Sequence, residues 1–189
     1  MVLVQGRPEA RADRVGDVST TMGVARLVRQ APSPALKAVG LPVDPRTPAT
    51  VKMAADLFAT MRLFPSCVGL AATQIGQPAQ VLVIDVSAHP RATANHGALA
   101  LCNARVIQAS QWEDRREGCW SVPGLTGDVR RADRIVVAGQ LPGCGEEVEL
   151  AAEGLEARAL QHQIDHCAGL LFLHRVTAPR ALYRCVPSR

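Results

Sequence analysis

The sequence predicts an α+β domain in which short, mostly antiparallel strands surround one long buried helix. The first observation is a series of short β-branched runs, clearest at 81–86, separated by glycine- and proline-containing turns. The second is residues 154–172, where a helical arrangement leaves few charges on any side, so this helix is expected to be buried. The chain has 189 residues and is 48% hydrophobic, which suits one domain with a substantial core.

The chain divides into three predicted parts. Residues 1–22 are mixed and polar and are expected to form a loose arm. Residues 23–178 form the domain, and residues 179–189 are a tail without an assigned structure. The prolines between 31 and 48 favour an irregular, extended start to the domain.

The elements of the domain follow from local patterns. The first helix begins at Thr47-Pro48, because threonine caps a helix and proline suits its first turn, and it ends at Pro65. Its apolar residues recur at helical spacing at Ala54, Leu57, Phe58 and Met61. A turn with Gly69 and Gly76 is predicted next, followed by a buried strand at 81–86, a surface loop at 87–98 and a strand near 99–108. Pro123, Gly124 and Gly127 mark another predicted turn. A strand pair at 134–141 and 146–151 then leads to the long helix from about 154 to 172.

Composition argues against several classes of function. The formal net charge of +4 comes from scattered arginines and aromatic residues make up 3%, so neither phosphate tracking nor base stacking is expected. No stretch reaches the ~18 apolar residues of a membrane span. Acidic residues among the N-terminal arginines argue against a targeting signal. We therefore expect no nucleic-acid partner, no membrane segment and a cytoplasmic location.

The six cysteines are widely spread and include no C-x-x-C pair. In a reducing compartment such cysteines are free buried thiols, and this is the expectation for all of them except Cys119.

Two histidines mark the long helix as metal-binding. His162 and His166 stand on neighbouring turns of one face, where they can hold one metal ion. The alternative is a pair of core histidines, each hydrogen-bonded to backbone. The surrounding run, Q-H-Q-I-D-H, nearly matches the metallohydrolase motif H-E-x-x-H, but Gln163 occupies the position of the base-acting glutamate.

Gln163 and Asp165 flank the histidine pair on opposite sides. At about 100° per residue, Gln163 lies beside His166 and Asp165 lies beyond His162. Asp165 therefore cannot replace the missing glutamate. We expect it to hold a histidine ring or a nearby arginine in place.

The helix alone does not supply a complete metal site. A catalytic site needs three protein ligands and one open position. The candidates for the third ligand are Cys119, His174 and more distant residues. Cys119 lies in a turn-like segment next to Gly118, which lets backbone approach closely, and Cys/His/His is a known catalytic set.

Three separated motifs together resemble the peptide deformylases. That family carries a G-x-G-L-A-A-x-Q loop, an E-G-C-x-S turn and an H-E-x-D-H helix, in this order. The matching segments here are Cys67–Gln74 (C-V-G-L-A-A-T-Q), Glu117–Ser121 (E-G-C-W-S) and His162–His166 (H-Q-I-D-H). The resemblance extends from about Val24 to Arg175, and three ordered motifs make it specific.

The resemblance implies a role for each matching residue. Cys119, His162 and His166 correspond to the family's metal ligands. Gln74 and the backbone of Trp120 correspond to the groups that polarise the formyl carbonyl.

Four further residues have implied supporting roles. Gly69 and Leu70 would line the peptide groove, and Glu117 and Arg131 would hold the metal ligands in place. The alternative for Glu117 and Arg131 is an ordinary exposed ion pair. The alternative for Leu70, Ile164 and Trp120 is a plain core position.

The sequence departs from the family pattern at two positions. Cys67 replaces the first glycine of the loop, and its side chain is expected to narrow the groove or shift the loop. Gln163 replaces the glutamate that, in the family, takes a proton from the attacking water and passes it to the leaving amine. An amide cannot carry that proton, and general acid–base catalysis is worth typically 10²–10⁴-fold. Both a natural replacement and one introduced to trap a substrate are consistent with the sequence.

The resemblance implies a metal-dependent hydrolase that removes the formyl group from N-formylmethionyl peptides or nascent chains, slowed by Gln163. The alternative is an inactive module that binds formylated or hydrophobic N-termini and keeps the metal site. A zinc endoprotease also uses H-E-x-x-H, but its third ligand usually lies downstream and the E-G-C-x-S turn has no role in it. The resemblance implies Fe²⁺ as the metal, with Zn²⁺ or Ni²⁺ as alternatives. The sequence makes no prediction of the oligomeric state.

Overall fold

Seven β-strands form one sheet in the computed structural model, which describes residues 3–4, 18, 21–92 and 94–185. They are β1 (Leu3–Val4), β2 (Gly69–Ala71), β3 (Val81–Ile84), β4 (Leu99–Cys119), β5 (Val122–Gln140), β6 (Glu147–Glu153) and β7 (Leu182–Arg184). Their order is β1-β6-β5-β4-β3-β2, and β7 pairs with β5. The pair of β1 and β6 is parallel and the other pairs are antiparallel, so the predicted α+β class is confirmed.

Two helices cover opposite faces of this sheet. Helix α1 (Pro48–Met61) packs with Val81 and Val83 of β3, whereas helix α2 (Gly154–Cys167) packs with Leu82 and Ile84. Successive side chains of a strand point to opposite faces, so both sets are buried. This is why the predicted strand is a continuous apolar run rather than an alternating one.

Helix α1 begins as predicted and ends early. The Oγ1 of Thr47 accepts a hydrogen bond from the backbone N–H of Thr50 at 3.2 Å and caps the helix. The predicted apolar residues of this helix are all buried. The helix ends at Met61, before Pro65, and Ser66 in the following turn has a left-handed conformation (φ 59°).

The hairpin of β4 and β5 differs most from prediction. Residues 107–116 of β4 are exposed, so no apolar alternation revealed that this strand continues beyond residue 108. The predicted turn at Pro123, Gly124 and Gly127 is wrong, since all three lie within β5. The actual connection is Trp120-Ser121, directly after Cys119.

Helix α2 is buried on nearly every side, as predicted, but it ends at Cys167 rather than near 172. Gly169 adopts φ 73°, the left-handed conformation that commonly ends a helix. A Cβ at this position would lie 2.7 Å from the carbonyl oxygen of Lys37, so glycine is also required by the close approach of the two chain segments.

The start of the domain is fixed to α1 through Asp56. Its carboxylate accepts hydrogen bonds from the backbone N–H of Val24 at 2.7 Å and from Nε of Arg26 at 2.9 Å, and it also pairs with Lys52. Burial raises the pKa of Asp56, but the hydrogen bonds from Lys52, Val24 and Arg26 outweigh this effect and hold the pKa below its ordinary value. Asp56 is therefore charged throughout the neutral range.

The ends of the chain stay largely as predictions. Most of the arm at 1–22 and residues 186–189 of the tail lie outside the described residues. In the parts of the two ends that the structure describes, β1 pairs with β6, Val18 is buried, and β7 pairs with β5. No helix of the described chain is long and apolar enough to cross a membrane.

All six cysteines are free. Cys102 and Cys167 are buried as expected, whereas Cys144 and Cys185 are exposed.

Candidate metal centre

The fold brings three potential metal ligands together. Helix α2 supplies His162 and His166, and the end of β4 supplies Cys119. Their ligand atoms all lie within 4.8 Å of one another, and Sγ of Cys119 is 3.2 Å from Nε2 of His166. His174 is not part of this group, and its Nδ1 accepts a hydrogen bond from the backbone N–H of Leu171. Of the two candidate third ligands named from the sequence, the structure places Cys119 at the site.

Glu117 fixes the orientation of one histidine. Its Oε2 accepts a hydrogen bond from Nδ1 of His162 at 3.0 Å, which leaves Nε2 of that ring for the metal. Arg131 donates to both carboxylate oxygens, at 2.7 and 3.1 Å. Burial raises the pKa of Glu117, but hydrogen bonds from His162 and Arg131 outweigh it and lower the pKa to about 2. Glu117 and Arg131 are both buried, so the alternative of an exposed surface pair is wrong.

The electrostatics of the three ligands favour a cation. Burial raises the pKa of the Cys119 thiol, but hydrogen bonds from His162 and His166 outweigh it and hold the pKa well below its ordinary value. Burial lowers the pKa of His162, and the bonds to Cys119 and Glu117 overcome this and raise it to about 9. For His166 burial dominates and its pKa is lowered. A partly buried thiolate beside two buried imidazoles fits a divalent metal ion.

Asp165 holds arginines, which was one of the two expectations for it. Its Oδ2 accepts from Nη1 of Arg131 at 2.8 Å, and its Oδ1 accepts from Nη2 of Arg175 at 2.8 Å. Arg131 in turn holds Glu117, and Glu117 holds His162. Asp165 therefore acts on the ligand set through two intervening side chains.

Gln74 contacts the same site from the segment after β2. Its Oε1 accepts from the backbone N–H of Ala71 at 3.0 Å, which fixes the amide. Its Nε2 donates to Oγ of Ser121 at 3.0 Å and approaches Sγ of Cys119 at 3.5 Å. The amide N–H groups of Gln74 are thus directed toward the metal ligands, where a carbonyl-polarising group would have to lie.

An open cleft of about 650 Å³ lies next to the ligands. The predicted groove residues Gly69 and Leu70 line it, together with Gln163. Leu70 is also fully buried in the core packed against α1, so its two predicted roles are compatible. Trp120 is 40% exposed at the cleft and its ring lies 4.9 Å from that of Phe64, so it is not a core residue.

Gln163 is buried in the wall of the cleft. Its Oε1 has no hydrogen-bond partner in the described part of the chain. A Cβ at position 69 would lie 3.0 Å from Nε2 of Gln163, so a larger residue at 69 would crowd this side chain. Ile164, on the other side of α2, packs against the core and is partly buried.

Cys67, the departure in the loop, lies half-buried in the wall of the cleft. Its Sγ contacts the carbonyl oxygen of Gly69 at 3.4 Å, and burial raises its pKa to about 11. It therefore lines the groove as a neutral thiol.

Sequence reasoning missed two residues of this site, Ser121 and Arg158. Ser121 lies within the E-G-C-x-S turn, and its Oγ accepts a hydrogen bond from Nε2 of Gln74, a role that the motif itself does not predict. Arg158 is buried, and its Nη1 donates to Oε1 of Glu117 at 2.7 Å. Its position one helical turn before His162 was the available signal, because residues four apart share a helix face.

Taken together, the three converging ligands, the fixed glutamine amide and the adjoining open cleft are those of a metal-dependent hydrolase. Comparison with known proteins is more specific. The sequence model of the polypeptide deformylase family matches residues 25–181. This chain belongs to the peptide deformylase family.

Relatives and solved structures agree with this assignment. The peptide deformylase of Carboxydothermus hydrogenoformans is 41% identical over 142 residues, which are 75% of this chain and 87% of that protein. The enzyme of Halothermothrix orenii is 37% identical over 149 residues, covering 79% of this chain and 92% of its own length. The crystal structure of the Thermotoga maritima peptide deformylase superposes with a TM-score of 0.73 at 30% identity, covering 82% of this chain and 99% of the other. The crystal structure of the Acinetobacter baumannii class I type b enzyme with bound Met-ala-ser superposes with a TM-score of 0.74 at 30% identity, covering 82% of this chain and 100% of the other.

Proposed function

We propose that this chain binds N-formylmethionyl peptides or nascent chains in the cleft beside Cys119, His162 and His166 and removes their formyl group slowly. The observation that carries the proposal is the convergence of these three ligands, with Gln74 directed toward them, in a member of the peptide deformylase family. The Met-ala-ser peptide bound to the Acinetobacter baumannii relative supports a peptide ligand for this chain. A cytoplasmic location remains a prediction.

The proposed ligand set is Cys119, His162 and His166. When bound there, a divalent metal ion would polarise a carbonyl oxygen and lower the pKa of a water molecule toward ~7. The mixed sulfur and nitrogen donors suit Fe²⁺, Zn²⁺ or Ni²⁺, and membership of this family favours Fe²⁺.

The chain's own residues would supply binding and positioning. Leu70, Leu155 and Ala159 line the cleft with apolar surface, which suits a methionine side chain. The Nε2 of Gln74 would donate to the formyl oxygen and stabilise the negative charge that develops on it. Glu117 would keep His162 oriented throughout the reaction, since its hydrogen bond leaves the ring one metal-facing nitrogen.

Gln163 would limit the reaction. It occupies the position from which a glutamate would accept a proton and pass it to the leaving amine, and its amide can do neither. Loss of general acid–base help lowers a rate by typically 10²–10⁴-fold. The proposed activity is therefore slow turnover supported by the metal ligands and Gln74 alone.

A second function is favoured by one observation. The buried Oε1 of Gln163 has no partner within the described residues, and a bound ligand with an N–H group would satisfy it. In this alternative the chain holds formylated N-termini without cleaving them.

The test uses formyl-Met-Ala-Ser with the iron-loaded and the metal-stripped chain under anaerobic conditions. Formate release and the binding isotherm are measured, with acetyl-Met-Ala-Ser as the control peptide. We expect metal-dependent formate release over several turnovers and a preference for the formyl peptide. Tight binding without release would favour the binding function, and neither binding nor release would overturn both.

A further inference from the structure

Arg158 connects the two parts of the chain that carry the metal ligands. It projects from the first turns of α2, whose later turns hold His162 and His166. Its Nη1 donates to Oε1 of Glu117 at 2.7 Å and to the carbonyl oxygen of Val129 at 3.0 Å. Its Nη2 donates to the carbonyl oxygen of Glu113 at 3.0 Å. One side chain thus holds α2 against both β4 and β5, close to the point where β4 ends in Cys119.

Arg158 also completes the environment of Glu117. A carboxylate offers about four lone-pair sites. Oε1 of Glu117 accepts from Nε of Arg131 and Nη1 of Arg158, and Oε2 accepts from Nη2 of Arg131 and Nδ1 of His162. All four sites are used, so the carboxylate cannot rotate without losing a charge-assisted hydrogen bond.

We propose that Arg158 is a positioning residue of the metal centre, which acts on His162 through Glu117. This inference rests on the proposed function, since it requires that Cys119, His162 and His166 bind a metal ion. Arg158 does not itself reach the ligands. Its contribution is to fix the carboxylate that selects which ring nitrogen of His162 faces the metal. Groups that orient a ligand in this way typically contribute 10–100-fold to metal affinity.

The geometry distinguishes Arg158 from the other charged residues nearby. Arg131 holds Glu117 from β5, and its own link to α2 runs through a further side chain, Asp165. Arg175 pairs with Asp165 and has no contact with Glu117 among the described hydrogen bonds. Arg158 is therefore the arginine of α2 that bonds Glu117 directly. It fixes Glu117 relative to His162, which lies four residues later on the same helix.

The test is a titration of the metal-stripped full chain with Co²⁺. Binding is measured by the thiolate-to-cobalt absorption band. We expect Arg158→Leu to weaken Co²⁺ binding by at least about tenfold. Arg158→Lys should also weaken it, because a single ammonium cannot make the three contacts of the planar guanidinium. Arg134→Leu removes an exposed arginine of β5 that pairs with Glu153 of β6 and makes no contact with Glu117 among the described hydrogen bonds. It serves as the control and should bind Co²⁺ like the parent.

A double-mutant cycle separates positioning from general loosening of the fold. If Arg158 acts through Glu117, then Arg158→Leu should cost little further affinity once Glu117→Gln is present. Multiplicative losses in the double variant, or parental Co²⁺ affinity in both Arg158 variants, would overturn the inference. A parent chain that binds no Co²⁺ would refute the metal centre itself, which is a different result. Arg158→Lys keeps the test informative if Arg158→Leu fails to fold.

Discussion

Placing a carboxylate at position 163 should raise the proposed deformylase activity. Gln163→Glu exchanges one amide group for a carboxylate of nearly the same shape, in a wall where the side chain is 4% exposed and Oε1 already has no described partner. Gly69 lies close to this side chain, and a carboxylate oxygen is no larger than the amide nitrogen that it replaces. We therefore expect the fold and the metal ligands to be retained.

The expected gain follows from the chemistry that the amide lacks. General acid–base catalysis contributes typically 10²–10⁴-fold, which corresponds to about 2.7–5.4 kcal/mol at 1.36 kcal/mol per tenfold. Burial disfavours the charged form of a carboxyl and raises its pKa toward neutrality, which suits a general base. The same burial should make the metal-free variant less stable than the parent.

The assay is formate release from formyl-Met-Ala-Ser by parent and variant at equal metal occupancy. Gln161→Glu is the matched control, because this glutamine lies on the same helix but bonds the backbone of Ala132 in β5. We expect a gain only from Gln163→Glu. A metal-loaded Gln163→Glu variant that is less than tenfold faster than the parent would refute the reasoning.

Three further perturbations have definite expected outcomes. The Cys119→Ser variant should retain little bound metal, as measured by elemental analysis, because it lacks one of the three ligands. The control variant Cys144→Ser, which changes an exposed thiol, should keep its metal. Full metal occupancy in Cys119→Ser would contradict the ligand assignment. Leu57→Ala should lower the free energy of unfolding, measured in urea, by about 2–5 kcal/mol, because Leu57 is buried. The control Leu63→Ala changes an exposed leucine and should lower it by less than about 0.5 kcal/mol. Equal effects of the two substitutions would contradict the packing around α1. The folded-state pKa of Asp56 is lowered, so its contribution is present above its ordinary pKa of 3.8 and is lost as pH falls toward the folded pKa. Asp56→Asn should therefore lower the free energy of unfolding at pH 7 and make it fall less steeply below pH 3.8. If the variant loses stability below pH 3.8 as steeply as the parent, Asp56 does not cause that loss.

The local elements were predictable where one pattern dominated. The cap at Thr47 and the apolar spacing in α1 gave the start of that helix, and the β-branched run gave β3. The long strand β4 was not predictable in full, since its exposed half has no buried face and therefore no apolar alternation. The end of α2 was missed because Gly169, a helix-ending residue by its conformation, stands within an otherwise apolar sequence.

The sequence by itself determined the chemistry of the site. Two histidines four residues apart must share a helix face, and the matching motifs identified Cys119 as the thiolate and Gln163 as the altered base position. Only the tertiary structure decided how these groups are held. Glu117 meets Arg158 across 41 residues, and Cys119 meets His166 across 47. Helical and strand periodicities encode neighbours a few residues apart, whereas contacts at such separations arise from the packing of α2 against the β4–β5 hairpin.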